Sequence, residues 1–146
     1  MEVKVKKRTK FSSPNNKFMK KLTLSVLTEK LGICRLAKNS PIPDWVRESS
    51  FFSIAKTKDE LSIICSQDNI PGGVLAEKNW RAFKVEGPLG FVTTGIVSSL
   101  STPLAKVKIS ILYVSTYETD YVLVEEKNFE SAKKVLGDFC NIKKQK

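Results

Sequence analysis

Between Trp80 and Cys140 the hydrophobic period switches back and forth between strand and helix, and this succession limits the fold more than any other feature of the chain. The run W-R-A-F-K-V-E, 80–86, sets Trp80, Ala82 and Phe83 among charges and predicts a strand. Gly87-Pro88-Leu89-Gly90 stops it. From Thr93 onward Ile96, Val97, Leu100 and Leu104 recur at helical spacing, which predicts a helix over 93–106. Pro103 lies inside that helix and demands a kink or an early end. I-S-I-L-Y-V-S-T-Y, 109–117, is apolar on both faces and reads as a central strand. Glu118-Thr119-Asp120 turns the chain into Y-V-L-V-E-E, 121–126. Asn128 is then expected to cap a second helix that carries Phe129, Ala132, Val135, Leu136 and Phe139 on one stripe.

The element order is therefore β-α-β-β-α, a ferredoxin-like unit without its last strand, and the fold class is α+β. The first half is rich in strands and poor in helix. L-T-L-S-V-L, 22–27, alternates well, and 31–37 is expected to pair back on it across a turn at Glu29-Lys30. Pro41 and Pro43 break the chain, and Pro43-Asp44-Trp45-Val46 starts one helical turn. F-F-S-I-A-K-T, 51–57, and E-L-S-I-I-C-S, 60–66, form strands around Lys58-Asp59, and a loop follows to Gly73. This half is able to supply the missing strand, as a second, degenerate copy sharing one sheet. The expected organisation is a flexible basic arm over 1–21, a degenerate unit over 22–79, a complete one over 80–142 and a basic tail over 143–146.

Charge supports that division. The net charge is +10, but residues 1–21 hold eight cations and one acid, and residues 143–146 hold three cations. The remaining body carries fourteen cations and fourteen acids and is neutral. Basic ends on a neutral body do not make a basic binding face. The chain has no histidine, which excludes Ser-His and Cys-His triads and the common His-bearing metal sites within it. Cys34, Cys65 and Cys140 are odd in number and lack C-x-x-C spacing. They read as small core residues in a reducing, cytoplasmic setting, without a structural zinc. No apolar run approaches the roughly 18–20 residues of a membrane span, and no h-region of a secretory signal follows the basic N-terminus. No cofactor, metal or membrane partner is implied, and no nucleophile–base pair can be assembled, so the chain is expected not to be an enzyme.

Two constellations are able to hold a ligand. V-E-G-P-L-G-F-V-T-T-G, 85–95, joins a strand, a glycine turn and a helix start. A helix N-terminus offers unpaired N–H groups and a positive dipole end, which suits a carboxylate. It is neither a Walker loop, since no G-K-[ST] follows, nor a dinucleotide fingerprint. The second is S-T-Y-E-T-D, 115–120. Asp120 there is either a plain hairpin tip or a carboxylate that grips the amine of a ligand. The two constellations are expected to meet only when a neighbouring unit packs against this one.

W-R-A-F-K-V-E-G-P-L, T-G-I-V-S-S-L-S-T-P-L-A and I-S-I-L-Y-V-S-T-Y-E-T-D-Y-V-L-V together resemble ACT domains. C-R-L-A, P-I-P-D-W and E-L-S-I-I-C extend the likeness upstream. The chain looks like the small tandem ACT proteins related to aspartate kinase regulatory domains and to the cytosolic arginine sensor. The resemblance implies two ACT-like units side by side, no catalysis, and an effector site at their interface for a free amino acid. By position it implies a turn and helix start at Gly87, Pro88, Leu89, Thr94 and Gly95, and a strand end at Ser115, Thr116 and Asp120. One position departs, because the family often has an acid where this chain has Gly90. It also implies a regulated protein partner and is compatible with a homodimer. The alternatives are a ligand-free ACT-like dimerisation scaffold and a nucleic-acid-binding ferredoxin-like domain. The latter would need Phe83 and Tyr113 as stacking platforms.

Overall fold

The computed structural model describes residues 22–87 and 94–144. Eight strands are formed: β1 (Thr23–Val26), β2 (Leu31–Leu36), β3 (Ser53–Lys56), β4 (Leu61–Ser66), β5 (Leu75–Val85), β6 (Ile111–Ser115), β7 (Asp120–Glu125) and β8 (Asn141–Lys144). Two helices, α1 (Ile96–Lys106) and α2 (Phe129–Gly137), join them. Single 3-10 turns lie at Asp44–Val46, Gln67–Asn69 and Glu126–Asn128. All eight strands belong to one sheet, which follows the order β3-β4-β2-β5-β1-β8, with β7 on β5 and β6 on β7.

The 11-residue β5 is the spine of this sheet. Its first half pairs antiparallel with β2, from Arg35 opposite Leu75 to Leu31 opposite Trp80. Its second half pairs with β1 on the same edge, Val26 opposite Phe83 and Leu24 opposite Val85. Its other edge pairs with β7, Trp80 opposite Glu125 through Lys84 opposite Tyr121. The register slips between Leu31 and Ile33. Asn79 meets that slip at φ 67°, the left-handed region that asparagine tolerates best after glycine. Its N–H donates to Gln67 Oε1 at 2.7 Å, so the irregular backbone keeps a partner.

Several expectations are corrected. β1 and β2 do not form a hairpin; they follow one another along the same edge of β5. Leu27 N–H donates to Ala82 O at 3.0 Å, so the chain continues in its direction through 27–30 rather than reversing. Leu27 and Leu31 then bury into one cluster. A last strand follows α2 after all. β8 pairs parallel with β1, Leu24 opposite Ile142, so β1 is inserted between β5 and β8. The strand taken as central, β6, pairs only with β7 among the described residues and forms an edge. Asn128 holds the N-cap position of α2 but makes no side-chain capping bond, because a 3-10 turn already leads into the helix. The helical turn at Asp44–Val46, the β3–β4 pair and a helix that runs through Pro103 agree with the sequence reading.

Alternation along the strands sends side chains to two faces. Leu24, Val26, Phe83, Val85, Val122 and Val124 face the helices and pack with Leu100, Leu104, Ala132 and Leu136. Phe83 stacks on Phe129 with ring centroids 5.3 Å apart. On the opposite face Leu31 and Ile64 of the first half meet Ala82 and Leu123 of the second. Phe51 reaches Tyr121 at 4.7 Å between centroids, so the halves share a core. A third cluster, Cys34, Val46, Leu61, Ile63, Cys65 and Ile70, closes the first half under the 3-10 turn.

Gly32 marks the tightest backbone approach among the described glycines. A Cβ there would lie 2.6 Å from Ile70 Cδ1. Because the close atom is the end of a flexible side chain, Gly32→Ala should lower stability by about 1 kcal/mol or less. Adding Ile70→Val removes the offending methyl and should recover part of that loss in denaturant unfolding. Strictly additive losses in the double variant would refute the steric account.

Candidate functional site

Strand directions gather the candidate residues at one end of the sheet. β5 ends there at Val85, α1 begins there, β6 ends at Ser115 and β7 starts at Asp120. Lys84 is the last β5 residue paired with β7, opposite Tyr121. Val85 and Asp120 stand one step beyond. The Thr119 hydroxyl, buried at 5% exposure, donates to Val85 O and ties the hairpin tip to the end of β5. The end of β5, which leads into Gly87, and the Asp120 hairpin are thus neighbours within a single unit, brought together by β5–β7 pairing without a facing unit; the rest of the glycine turn lies outside the described residues.

Gly87, Thr94, Gly95, Ser115 and Thr116 are exposed, and Asp120 is half-buried. Pro88 and Leu89, with Gly90 and Thr93, lie outside the described residues. Gly95 occupies the position before α1 at φ 82°, a conformation that glycine adopts without strain. Its carbonyl accepts from Ser99 N–H at 2.9 Å and from Ser98 Oγ at 3.1 Å. Among the described residues no side-chain hydrogen bond caps α1 at Gly95. The hairpin tip is closed on itself. Thr116 N–H donates to Thr119 O at 2.8 Å, and Thr119 N–H returns to Thr116 Oγ1 at 3.2 Å.

Tyr113 is a residue at this end of the sheet that the ligand reading left out. Its hydroxyl donates to Asp120 Oδ2 at 2.6 Å. The signal was available: in a tight hairpin 113, 115 and 120 share one face. Burial first, then the Asp120 carboxylate, pushes the Tyr113 phenol far above its ordinary range. Asp120 is thereby fixed in orientation, with Oδ1 left for a cation. Just past the end of β5, Glu86 accepts from Ser25 Oγ at 2.5 Å. That hydroxyl holds the Glu86 carboxyl below its usual range, helped by Lys143 and Lys84 and opposed by slight desolvation.

Phe83 is fully buried against Phe129 and offers no face to a stacked base, while Tyr113 is half-buried with its hydroxyl on Asp120. The three cysteines are buried free thiols, and burial pushes Cys65 and Cys140 up to about 11, away from the reactive thiolate. Among the described residues no group of three His, Cys, Asp or Glu side chains gathers to hold a metal. No described helix is long and apolar enough to cross a membrane.

The Tyr113 phenol gives a pH signature. The folded chain keeps this proton above the ordinary tyrosine value of 10.0, whereas the unfolded chain releases it there. The stability it contributes is complete below that value and falls as pH rises beyond it. Tyr113→Phe should therefore flatten the alkaline loss of stability, and tyrosinate absorbance from Tyr113 should appear only together with unfolding. An absorbance titration of wild type minus Tyr113→Phe that rises near pH 10 on the folded chain would contradict this assignment.

Comparison with known proteins was made on this background. A family model for the ACT domain matches residues 75–138, beginning where β5 begins. A second model, described as an N-terminal domain, matches residues 29–73. Among curated proteins, the cytosolic arginine sensor for mTORC1 subunit 1 of Homo sapiens is 33% identical over 108 residues, which is 68% of this chain and 32% of the relative. The chain thus spans about a third of the length of that relative. Among solved structures, Protein Atu0741 from Agobacterium tumefaciens is 36% identical with a TM-score of 0.80, covering 86% of this chain and 94% of its own. The regulatory subunit of aspartate kinase from Thermus thermophilus shares the fold, with a TM-score of 0.56 at 10% identity, covering 80% of this chain and 95% of its own. The chain belongs to the ACT-domain family, with Atu0741 as a relative along nearly its whole described length and with aspartate kinase regulatory subunits as neighbours in fold.

Proposed function

We propose that this chain is a non-catalytic regulatory module that binds a small molecule, a free amino acid, at the sheet end between the β5–α1 turn and the β6–β7 hairpin. The observation that carries it is the pairing of opposite poles at that end. The uncapped start of α1 suits the ligand's carboxylate, and Asp120, half-buried and held by Tyr113, suits its amine. In this reading Gly87, Thr94 and Gly95 belong to the carboxylate side, with Pro88 and Leu89 between them outside the described residues, and Ser115, Thr116 and Asp120 belong to the amine side. The arginine-sensor relatives support an amino acid as the ligand class.

The outer edge of β6, unpaired among the described residues and with Ser115 at its end, supports a dimer in which a second copy continues the sheet and covers the site. Ligand bound at that seam would favour one packing of the two copies over another, which is how binding becomes a signal to a regulated partner protein. Buried free thiols fit a reducing, cytoplasmic setting.

Titration calorimetry of the full chain against the twenty amino acids tests the reading. One of them, or a small group, should give saturable heat, and Asp120→Ala should weaken it at least about tenfold, the effect of losing one charge-assisted contact. Flat traces with all twenty would leave a ligand-free ACT scaffold instead.

A further inference from the structure

A second polar feature lies at the far end of the sheet from Asp120. Where β1 runs out, β5 and the start of α2 enclose a cavity of about 360 Å³. Thr28, Arg81, Phe129, Glu130 and Lys133 line it over an apolar floor at Leu27. The Arg81 side chain is only 19% exposed. Its guanidinium lies over the Phe129 ring, 4.1 Å from the centroid, so its plane is fixed. Yet Arg81 makes no hydrogen bond to any described residue, and its Nε is the one buried side-chain nitrogen or oxygen among them without a partner. The nearest carboxylate oxygen, Glu126 Oε1, stands 3.7 Å from Nη1, too far for a hydrogen bond. Glu126 is engaged elsewhere, with Oε2 at 2.7 Å from Lys30 Nζ.

A mostly buried guanidinium whose one ion pair, with Glu126, is too long for a hydrogen bond and whose Nε has no partner is costly unless an acceptor completes it. The second cation of the cavity, Lys133, is half-buried and has no ion pair among the described residues. We propose that this cavity is a second ligand site, which takes a single oxyanion group of a small metabolite, a carboxylate or a phosphate, on Arg81 and Lys133. The rigid fork of Arg81 matches two oxygens of such a group, Lys133 supplies the second positive charge, and the exposed Thr28 hydroxyl can donate a third bond. Exposed Glu130 at the rim repels a longer polyanion, which restricts the site to one anionic group. This site shares no residue with the amino-acid site proposed above and does not depend on it.

Calorimetric titration of the full chain with inorganic phosphate and with succinate, in about 0.15 M salt to screen the basic N-terminal residues, tests it. At least one probe should bind saturably. Arg81→Lys, which keeps the charge but loses the fork, should weaken that binding about tenfold or more, and Lys133→Gln about threefold to tenfold. Asp120→Ala should leave it unchanged. Binding of phosphate alone assigns the cavity to phosphate-bearing ligands, and binding of succinate alone to carboxylates. Lys133 lies on the helix surface outside the buried core, so its variant keeps the test readable even where Arg81→Lys disturbs folding. Failure of both probes to saturate, or affinities untouched by Lys133→Gln and Arg81→Lys alike, overturns the proposal.

Discussion

Backbone pairing along both edges of β5 underlies the rest of this molecule. One strand of 11 residues serves β2 and β1 in succession on one edge and β7 on the other. Its first half therefore belongs to the strand-rich N-terminal region, and its second half to the helix-covered unit. Because the strand is continuous, the two regions cannot separate without breaking a ladder of hydrogen bonds. The shared cluster of Leu31, Ile64, Ala82 and Leu123 adds apolar burial at the same seam. Asn79 is where the two pairings are reconciled. Its positive φ absorbs the slip in register that lets β2 and β1 share an edge.

The same pairing decides how the candidate site is assembled. A ligand clamp needs a donor wall and an acceptor wall facing a common space. In this fold the donor wall follows β5 and the acceptor wall begins β7, and the two strands are bonded neighbours. Thr119, donating to Val85 O, then fixes the hairpin against the end of β5. The Asp120 side of the proposed site is thus held by secondary structure. The hydrogen bond from Tyr113 removes the remaining freedom of the Asp120 carboxylate.

The C-terminal unit was legible because its signals are strong and local. Ile96, Leu100 and Leu104 mark one helical face, and Val122 and Val124 mark one strand face. Those periods survive in the structure almost residue for residue. What failed was non-local. The pairing of β1 and β2 with β5 instead of with each other depends on a partner some fifty residues away, and nothing in 27–30 announces it. β6 looked central because Ile111, Leu112, Tyr113 and Val114 are apolar on both faces, yet it lies at an edge. β8 was hidden because Asn141-Ile142-Lys143-Lys144 carries one apolar residue and two lysines, which fit a solvated tail as well as an edge strand. Polar Glu77, Lys78 and Asn79 likewise concealed the first part of β5, since their strand conformation is imposed by β2. At the candidate site Asp120 was visible as a hairpin acid. Tyr113 was seen only as a possible stacking ring, and its true partner follows from hairpin register, which sequence fixes only once the turn is known.

Arg81 shows a different limit on what sequence reveals. In W-R-A-F it reads as the solvent-facing member of an alternating strand. Instead it shares a face with Phe83 and lies beneath the start of α2, because its guanidinium finds the Phe129 ring there. A charge is kept in that place at a desolvation cost that the ring only partly offsets. Glu126 bridges Lys30, through Oε2 at 2.7 Å, and Arg81, through Oε1 at the longer 3.7 Å. Two facing polar features therefore sit at opposite ends of one helix-covered sheet. Each is built on β5 or its immediate continuation, yet they share no residue.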